Sequence, residues 1–554
     1  MNNIINITIN GETKQYSYGI SGIELSKYYK NLFTNDILAM KINGRVSTLD
    51  TKILKNSSVE FIDYMNRDGN RIYVNGLKFL LIIAIKEVLG NIADVNFENS
   101  IDKGIFCRIV NHPIINDKTY NLIINKMNEI VELDLPFKNI SVKVKDLIEF
   151  YKSTNQTEKL KNLEILTDNY ASLTKCKSHY GYFYGKLPLS TGYLKKFDIT
   201  FLENNTLVLR FPVVRGDGNI PEYQHHEKVI NVFEQYSKWI NIMKVSNVGS
   251  LNEIVYKGNI ANFIRMNEIV QNNDLMNICE SISNNINNIK LVLIAGPSSS
   301  GKTTTANKFC LYLKSKGLNP HILSTDDYFY NRVDTPKDEN GEYDFETINA
   351  IDLELFNTQL TDLIAGNEVD IPRFNFVKGE KEFGVRKLKL EKNDILIIEG
   401  LHTLNEKLTA SISKDNKIKI YISPFTPLSI DNYNHISTSD IRLLRRIVRD
   451  NRTRGRNVEE TLMSWDKVRR GEEIYVFPYQ DEADYIFNTA FIYEIGVLKV
   501  YVEPLLYAIN SDSKYYGEAR RLIRFLKIFL PIPADSVPQD SILREFIGKS
   551  CFYE

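Results

Sequence analysis

The chain of 554 residues carries no net charge, since Lys+Arg and Asp+Glu number 69 each. No global field draws it to nucleic acid or to an acidic membrane, so any polyanion site has to be local. Cysteine is sparse too. The five thiols, Cys107, Cys176, Cys279, Cys310 and Cys551, are scattered, odd in number and form no C-x-x-C pair, which argues against a disulfide framework and for a reduced, cytoplasmic setting. The first residues lack the basic and apolar regions of a signal peptide. The longest apolar run, 79–85, is far short of the roughly 20 residues that span a bilayer. A soluble protein with no membrane partner is expected. Repeats and low-complexity segments are also missing, so a chain of this length, at roughly 100–200 residues per domain, points to several ordinary folded units.

Against these absences stands one dense motif. Gly296, Pro297, Ser298, Ser299, Ser300, Gly301, Lys302 and Thr303 follow the apolar run 291–295 and precede a helical pattern, the context that a phosphate-binding P-loop requires. A buried strand there delivers a glycine loop to a helix start, where backbone N–H groups and the helix dipole favour an anion. The motif predicts that Gly296 to Thr304 cradle phosphates, that Lys302 reaches the β- and γ-phosphates, and that the Thr303 hydroxyl holds Mg²⁺.

Further apolar runs at 321–325, 394–398, 418–422 and 484–488 alternate with helical or loop segments, as in a doubly wound parallel sheet. Ligands of such sheets sit beyond the carboxyl ends of the strands. The run 321–325 leads into Asp326-Asp327, where a carboxylate can accept the proton of an attacking hydroxyl and touch the Mg²⁺ shell. Asp326 is the choice because it directly follows the strand, and Asp327 stays open. The run 394–398 ends in Glu399-Gly400, which makes Glu399 a metal ligand. From Asp440 to Arg470, Arg442, Arg446 and Arg449 recur on one helical face and lead into Arg452, Arg454, Gly455 and Arg456. A basic lid closing on triphosphate, hinged at Gly455, is expected.

Before this domain, residues 1–65 read as short strands around one helix, a β-grasp pattern with strands at 5–10, 14–18, 37–42 and 59–64. Residues 66–246 read as an α+β domain with helical runs at 76–89 and 117–131. Residues 247–288 read as a helical connector, 289–505 as the P-loop domain and 506–554 as a helical tail. Cys176 and His179 form one C-x-x-H, too little for a metal site, and His225-His226 reads as ordinary surface.

Residues 291–490 resemble the uridine kinase/phosphoribulokinase family of P-loop kinases. The resemblance rests on the P-loop, Ile322-Leu-Ser-Thr-Asp326, Ile371-Pro-Arg-Phe-Asn-Phe376, Ile398-Glu-Gly400, Arg445-Arg-Ile-Val-Arg-Asp450 and Arg454-Gly-Arg456. It implies ATP and Mg²⁺ as cofactors, Asp326 as catalytic base with Lys302, Glu399 in the Mg²⁺ site, and Arg445, Arg449, Arg454 and Arg456 in the lid. ATP is preferred over GTP on this resemblance, and no N-K-x-D motif follows the P-loop. The acceptor segment departs from the family: Phe374-Asn-Phe376 stands for Tyr-Asp-Phe, and Lys378-Gly-Glu380 stands where a histidine usually follows. Uridine is thus a reference acceptor, and a nucleoside or related small metabolite is expected.

The front of the chain resembles threonyl-tRNA synthetases, with a TGS-like module at 1–65 and their second N-terminal domain at 66–246, on chain order and Gly104-Ile-Phe-Cys-Arg108. The family's editing H-x-x-x-H is replaced here by Asn75-Gly-Leu-Lys78-Phe79, so a binding or scaffolding role is expected in place of editing. This keeps a nucleotide-switched tRNA- or RNA-binding protein as the alternative, and leaves a homo-oligomer open.

Overall fold

The structure is a computed structural model that describes residues 4–101, 103–153, 157–164, 169–286, 288–339, 341–375 and 378–553. Its C-terminal half is built on a five-stranded parallel sheet of β1 (Leu291–Ala295), β2 (Asn319–Ser324), β3 (Asp394–Gly400), β4 (Lys417–Ser423) and β5 (Tyr485–Asn488). The spatial order is β2-β3-β1-β4-β5, with Ala295 level with Gly400 on one side and Tyr421 on the other. Every residue of β1, β3 and β4 is buried. That is why these strands read as unbroken apolar runs: helices cover both faces of the sheet. The helix α1 (Lys302–Ser315) follows β1, and α2 (Thr438–Thr453) and α3 (Val458–Tyr475) lie between β4 and β5.

One face of the sheet shares a core with segments that flank the domain in sequence. Leu275, Ile278 and Ile282 of the helix Ile260–Asn284 join Val292, Ile294 and Ile420, and so do Leu522, Ile542 and Phe546 from the end of the chain. Residues 260–284 and 516–547 therefore pack as parts of the P-loop core. Period-3.6 patterns mark such helices as amphipathic but do not say which sheet they cover.

The N-terminal sheet has the order Glu12–Ser17, Ile4–Ile9, Ser57–Ile62, Ala39–Ile42, Arg45–Thr48, with its first and last long strands parallel at the centre. The middle region lays the helix Arg67–Leu89 against a four-stranded antiparallel sheet, and the apolar run 79–85 is wholly buried there. Into this core reaches a hairpin from the C-terminal half, Ser429–Asp431 and Asn434–His435. Its Tyr433 donates to Asp94 Oδ1 at 2.8 Å and stacks on Phe183, while Phe97 N donates to Asn432 O at 2.9 Å. Asn434 donates to Tyr182 O at 3.0 Å and accepts from Tyr184 N at 2.8 Å. The segment 182–184 is thus part of the seat of this hairpin.

Lys78 ends 2.9 Å from His435 Nδ1. Burial pushes the lysine down to about 8, and burial with the lysine beside it holds His435 well below its usual range. The pair His225-His226 is split, contrary to the surface reading. His226 is buried with Nδ1 at 2.6 Å from Asp481 Oδ2, a partner 255 positions away that a local pattern cannot reveal. Cys176 and His179 pair across a hairpin, and among the described residues no metal-holding group of three or more His, Cys, Asp or Glu forms. Among the same residues no helix is long and apolar enough to cross a membrane.

Candidate active site

The P-loop is shaped by what surrounds it. A Cβ at Gly296 would collide with the Ile422 carbonyl of β4, and Gly301 has φ 94°, a left-handed conformation that favours glycine. Ser299 is also left-handed, at φ 60°. Lys302 Nζ donates to Gly296 O at 3.0 Å and Pro297 O at 3.4 Å, so its ammonium stands inside the curl of the loop. The first N–H groups of α1 point outward without intrahelical partners and make the end of the loop an anion seat.

The loop is braced from beneath. Ser298 N donates to Glu472 Oε1 at 2.8 Å, and Arg442 donates to both oxygens of Glu472 and to Ser298 O at 3.2 Å. Burial alone would raise the Glu472 pKa, but Arg442 and Arg469 outweigh it and hold the carboxylate below its ordinary value. Arg445, expected in the lid, is fully buried. It donates to Glu494 Oε2, to Thr489 O at 2.7 Å, and to Ser300 O at 3.4 Å. The structure therefore places it under the loop, apart from the phosphate side. Arg449, one turn further along α2, turns instead to Asp450.

Glu399 stands between the end of β2 and the start of α1. Ser324 Oγ donates to Glu399 Oε1 at 3.0 Å, and Thr303 Oγ1 donates to the same oxygen at 3.4 Å. Burial, with the Asp326 charge added, pushes Glu399 up to about 7. Gly400 has no room for a side chain, because any Cβ would collide with Thr325 Oγ1. Asp327 accepts from Phe374 N at 3.2 Å, which commits it to backbone, while the Asp326 carboxylate accepts no hydrogen bond among the described residues.

The remaining arginines fan out from Asp450, whose side chain is fully buried. Arg449 donates to it at 2.9 and 3.1 Å, Arg446 stands 3.3 Å away and Arg454 3.8 Å away. The Arg449 charge first, and burial second, push Arg454 down to about 10. With its side chain 46% exposed, the like charge is the cause that matters. Guanidinium groups that repel each other mark a place where an anion is welcome. Gly455 is left-handed at φ 62°, and Arg456 is exposed. A cavity of about 230 Å³ opens here, lined by Thr303, Arg449, Arg452, Thr453, Arg454, Glu545 and Tyr553.

Sequence reading missed several of these residues. Glu545 and Tyr553 lie more than 240 positions from Thr304 and belong to no motif. His402 is 2% exposed, and neither ring nitrogen has a hydrogen-bond partner among the described residues. The Glu346 carbonyl stands by outside hydrogen-bond geometry. Burial lowers His402 to about 4 and raises Glu346 to about 7. Phe329 packs edge-on against Phe345 and Phe374, with centroids 6.3 and 5.8 Å away. Phe376, part of the expected acceptor segment, lies outside the described residues.

Known proteins resemble this half of the chain. The phosphoribulokinase/uridine kinase family matches residues 291–493. A uridine kinase of Mycoplasma genitalium is 30% identical over 221 residues, 39% of this chain and 94% of that enzyme. A uridine kinase of Staphylococcus haemolyticus is 27% identical over 200 residues, 36% of this chain and 87% of that enzyme. The uridine-cytidine kinase A of Dictyostelium discoideum is 29% identical over 203 residues, 36% of each chain.

Proposed function

We propose, from the premise that the chain belongs through residues 291–493 to the phosphoribulokinase/uridine kinase family, that it transfers the γ-phosphoryl group of Mg²⁺·ATP to a hydroxyl of a nucleoside or a similar small metabolite. The protein is a phosphotransferase acting on a hydroxyl group. The donor, the metal and the acceptor are our reading. The observation that carries it is the convergence of Thr303, Glu399 and Asp326 at the ends of three neighbouring strands, with Asp326 unengaged.

In this reading the amides from Gly296 to Thr304 and the Lys302 ammonium hold the β- and γ-phosphates. A hard divalent cation fits beside them. Thr303 Oγ1 and Glu399 Oε1 are both oxygen donors 3.4 Å apart, and Glu399 is an acid whose charge burial suppresses and a cation would restore. When bound, Mg²⁺ neutralises charge on the phosphate oxygens. Asp326 accepts the acceptor's proton as its oxygen attacks the γ-phosphorus and the bond to the β-phosphate oxygen breaks. Arg449 and Arg454 stabilise the charge spread over the transferring group. The aromatic wall of Phe329, Phe345 and Phe374, with Glu346 within reach of the Asp326 charge, suits a flat ring bearing hydroxyls.

We read residues 1–65 as a β-grasp module on the strength of its parallel central pair and the helix that precedes the third strand. The middle region's synthetase likeness fits a scaffold, with the hairpin at Tyr433 seated in its core. The RNA-binding alternative has no observation in its favour. A phosphate-transfer screen over nucleosides, pentose phosphates and sugars, with ATP hydrolysis as control, tests the reading. A phosphorylated nucleoside is the expected product, and ATP hydrolysis with no phosphorylated acceptor would sink it.

A further inference from the structure

The end of the chain lies on the phosphate seat. Thr304 N donates to Glu545 Oε2 at 3.1 Å and Thr304 Oγ1 donates to the same oxygen at 2.9 Å. The Tyr553 hydroxyl shares a hydrogen bond with Thr304 Oγ1. Thr304 N–H is the third of α1, one of the outward-facing donors that make a helix start attractive to anions. A carboxylate of the chain itself therefore sits where a phosphate oxygen would. The segment also engages a lid cation: Arg452 donates through Nε to Phe546 O at 3.1 Å and through Nη2 to Glu545 O at 2.9 Å. The cavity between Thr303, Arg449 and Arg454 is closed on this side by Glu545 and Tyr553.

The segment has a fixed base and a short arm. Ile542, Leu543, Phe546 and Ile547 are buried in the P-loop core, with Phe546 under the Arg445 guanidinium at 5.0 Å. The chain then turns through two successive left-handed residues, Gly548 at φ 88° and Lys549 at φ 58°. Beyond them the arm is held by Cys551 N donating to Gln539 O at 3.0 Å and by the Tyr553 contact. Glu545 also adds negative charge to a site that already contains Asp326 and Glu399, an arrangement that favours the carboxylate's departure once phosphate arrives.

We propose that residues 545–553 form an intramolecular latch on the phosphate cradle, in which Glu545 and Tyr553 hold Thr304 until the phosphates of the donor displace them, while Arg452 anchors the base. The latch rests on the donor reading given above. The base stays packed; the Glu545 side chain and the arm beyond Gly548 move. A plain helix cap would sit in the same place but would leave donor affinity unaffected or would support it, which separates the two roles.

The test is calorimetric titration of Mg²⁺·ATP into the full chain as wild type, Glu545→Gln and Tyr553→Phe, with circular dichroism to confirm the fold. Loss of a charge-assisted competitor should tighten binding about tenfold in Glu545→Gln and by a smaller factor in Tyr553→Phe. Equal or weaker binding by folded Glu545→Gln, with wild type binding ATP, overturns the latch and leaves the donor reading intact. Should Glu545→Gln fail to fold, Tyr553→Phe on the arm decides by the same criterion. No ATP binding by any of the folded proteins overturns the donor reading and the latch with it.

Discussion

The hairpin around Tyr433 and the segment around Glu545 each seat in a groove made by another part of the chain, and the chemistry of the two seats differs. The hairpin's polar atoms are matched: Tyr433 to Asp94, Asn434 to two backbone groups, Lys78 to a neutral His435. Burial lowers Lys78 to about 8 and, with the lysine beside it, holds His435 well below its usual range, and the cavity beside Tyr433 is lined mostly by apolar side chains. At the P-loop the opposite holds. Glu399 is raised by burial with the Asp326 charge added, Arg454 is lowered first by the Arg449 charge, and Asp326 is unengaged among the described residues. Satisfied groups build a permanent interface, whereas charges held in mutual conflict mark a place where something else is expected to bind.

The comparison can be broken by substitution. Lys302→Ala should lower phosphoryl transfer by about 10³-fold with the fold intact, because the lost charge is needed at the transferring phosphate. Activity that survives in this variant would remove the P-loop from the chemistry. Arg445→Ala should act quite differently from Arg449→Ala. Removing Arg445 leaves the buried Glu494 unpaired and should cost about 3–5 kcal/mol of stability in chemical denaturation. Removing Arg449 leaves the buried Asp450 to Arg446 and Arg454, so it should cost less stability than Arg445→Ala and slow turnover by about 10²-fold.

Tyr433→Ala should destabilise by about 3 kcal/mol and leave ATP affinity unchanged, since its ring fills a core far from any phosphate. A shift in affinity would mean that the hairpin seat is coupled to the site. The smallest expected effect belongs to Glu399→Gln. With Glu399 near 7, the folded chain holds a proton that the unfolded chain has already released above about 4.3, so stability falls as pH rises through that window. The amide removes this loss. Thermal melts without divalent cation should show the variant gaining over wild type at pH 8, with the gain shrinking toward pH 5, and Mg²⁺ stabilising the wild type alone.

The parts legible in the sequence were those whose chemistry depends on near neighbours. The P-loop, the acids after β2 and β3 and the five parallel strands follow from short patterns that the fold must respect. Arg445 shows where periodicity runs out. Its place on α2 was readable, but the loop that covers it comes from another element. The pairing of His226 with Asp481, the packing of Ile260–Asn284 under the sheet and the seat of Glu545 on Thr304 are all contacts between distant positions. None leaves a local trace, since Glu545 in Leu-Arg-Glu-Phe looks like any helical acid.

One measurement bears most directly on the site. Transfer of the γ-phosphate from ATP to a nucleoside panel should be followed for wild type, Asp326→Asn and Asp327→Asn, with ATP affinity determined for each. A phosphorylated nucleoside from wild type, a fall of about 10²–10⁴-fold in Asp326→Asn at unchanged ATP affinity, and much smaller loss in Asp327→Asn are predicted. Transfer that persists in Asp326→Asn and disappears in Asp327→Asn, or a wild type that phosphorylates no nucleoside, would contradict the account.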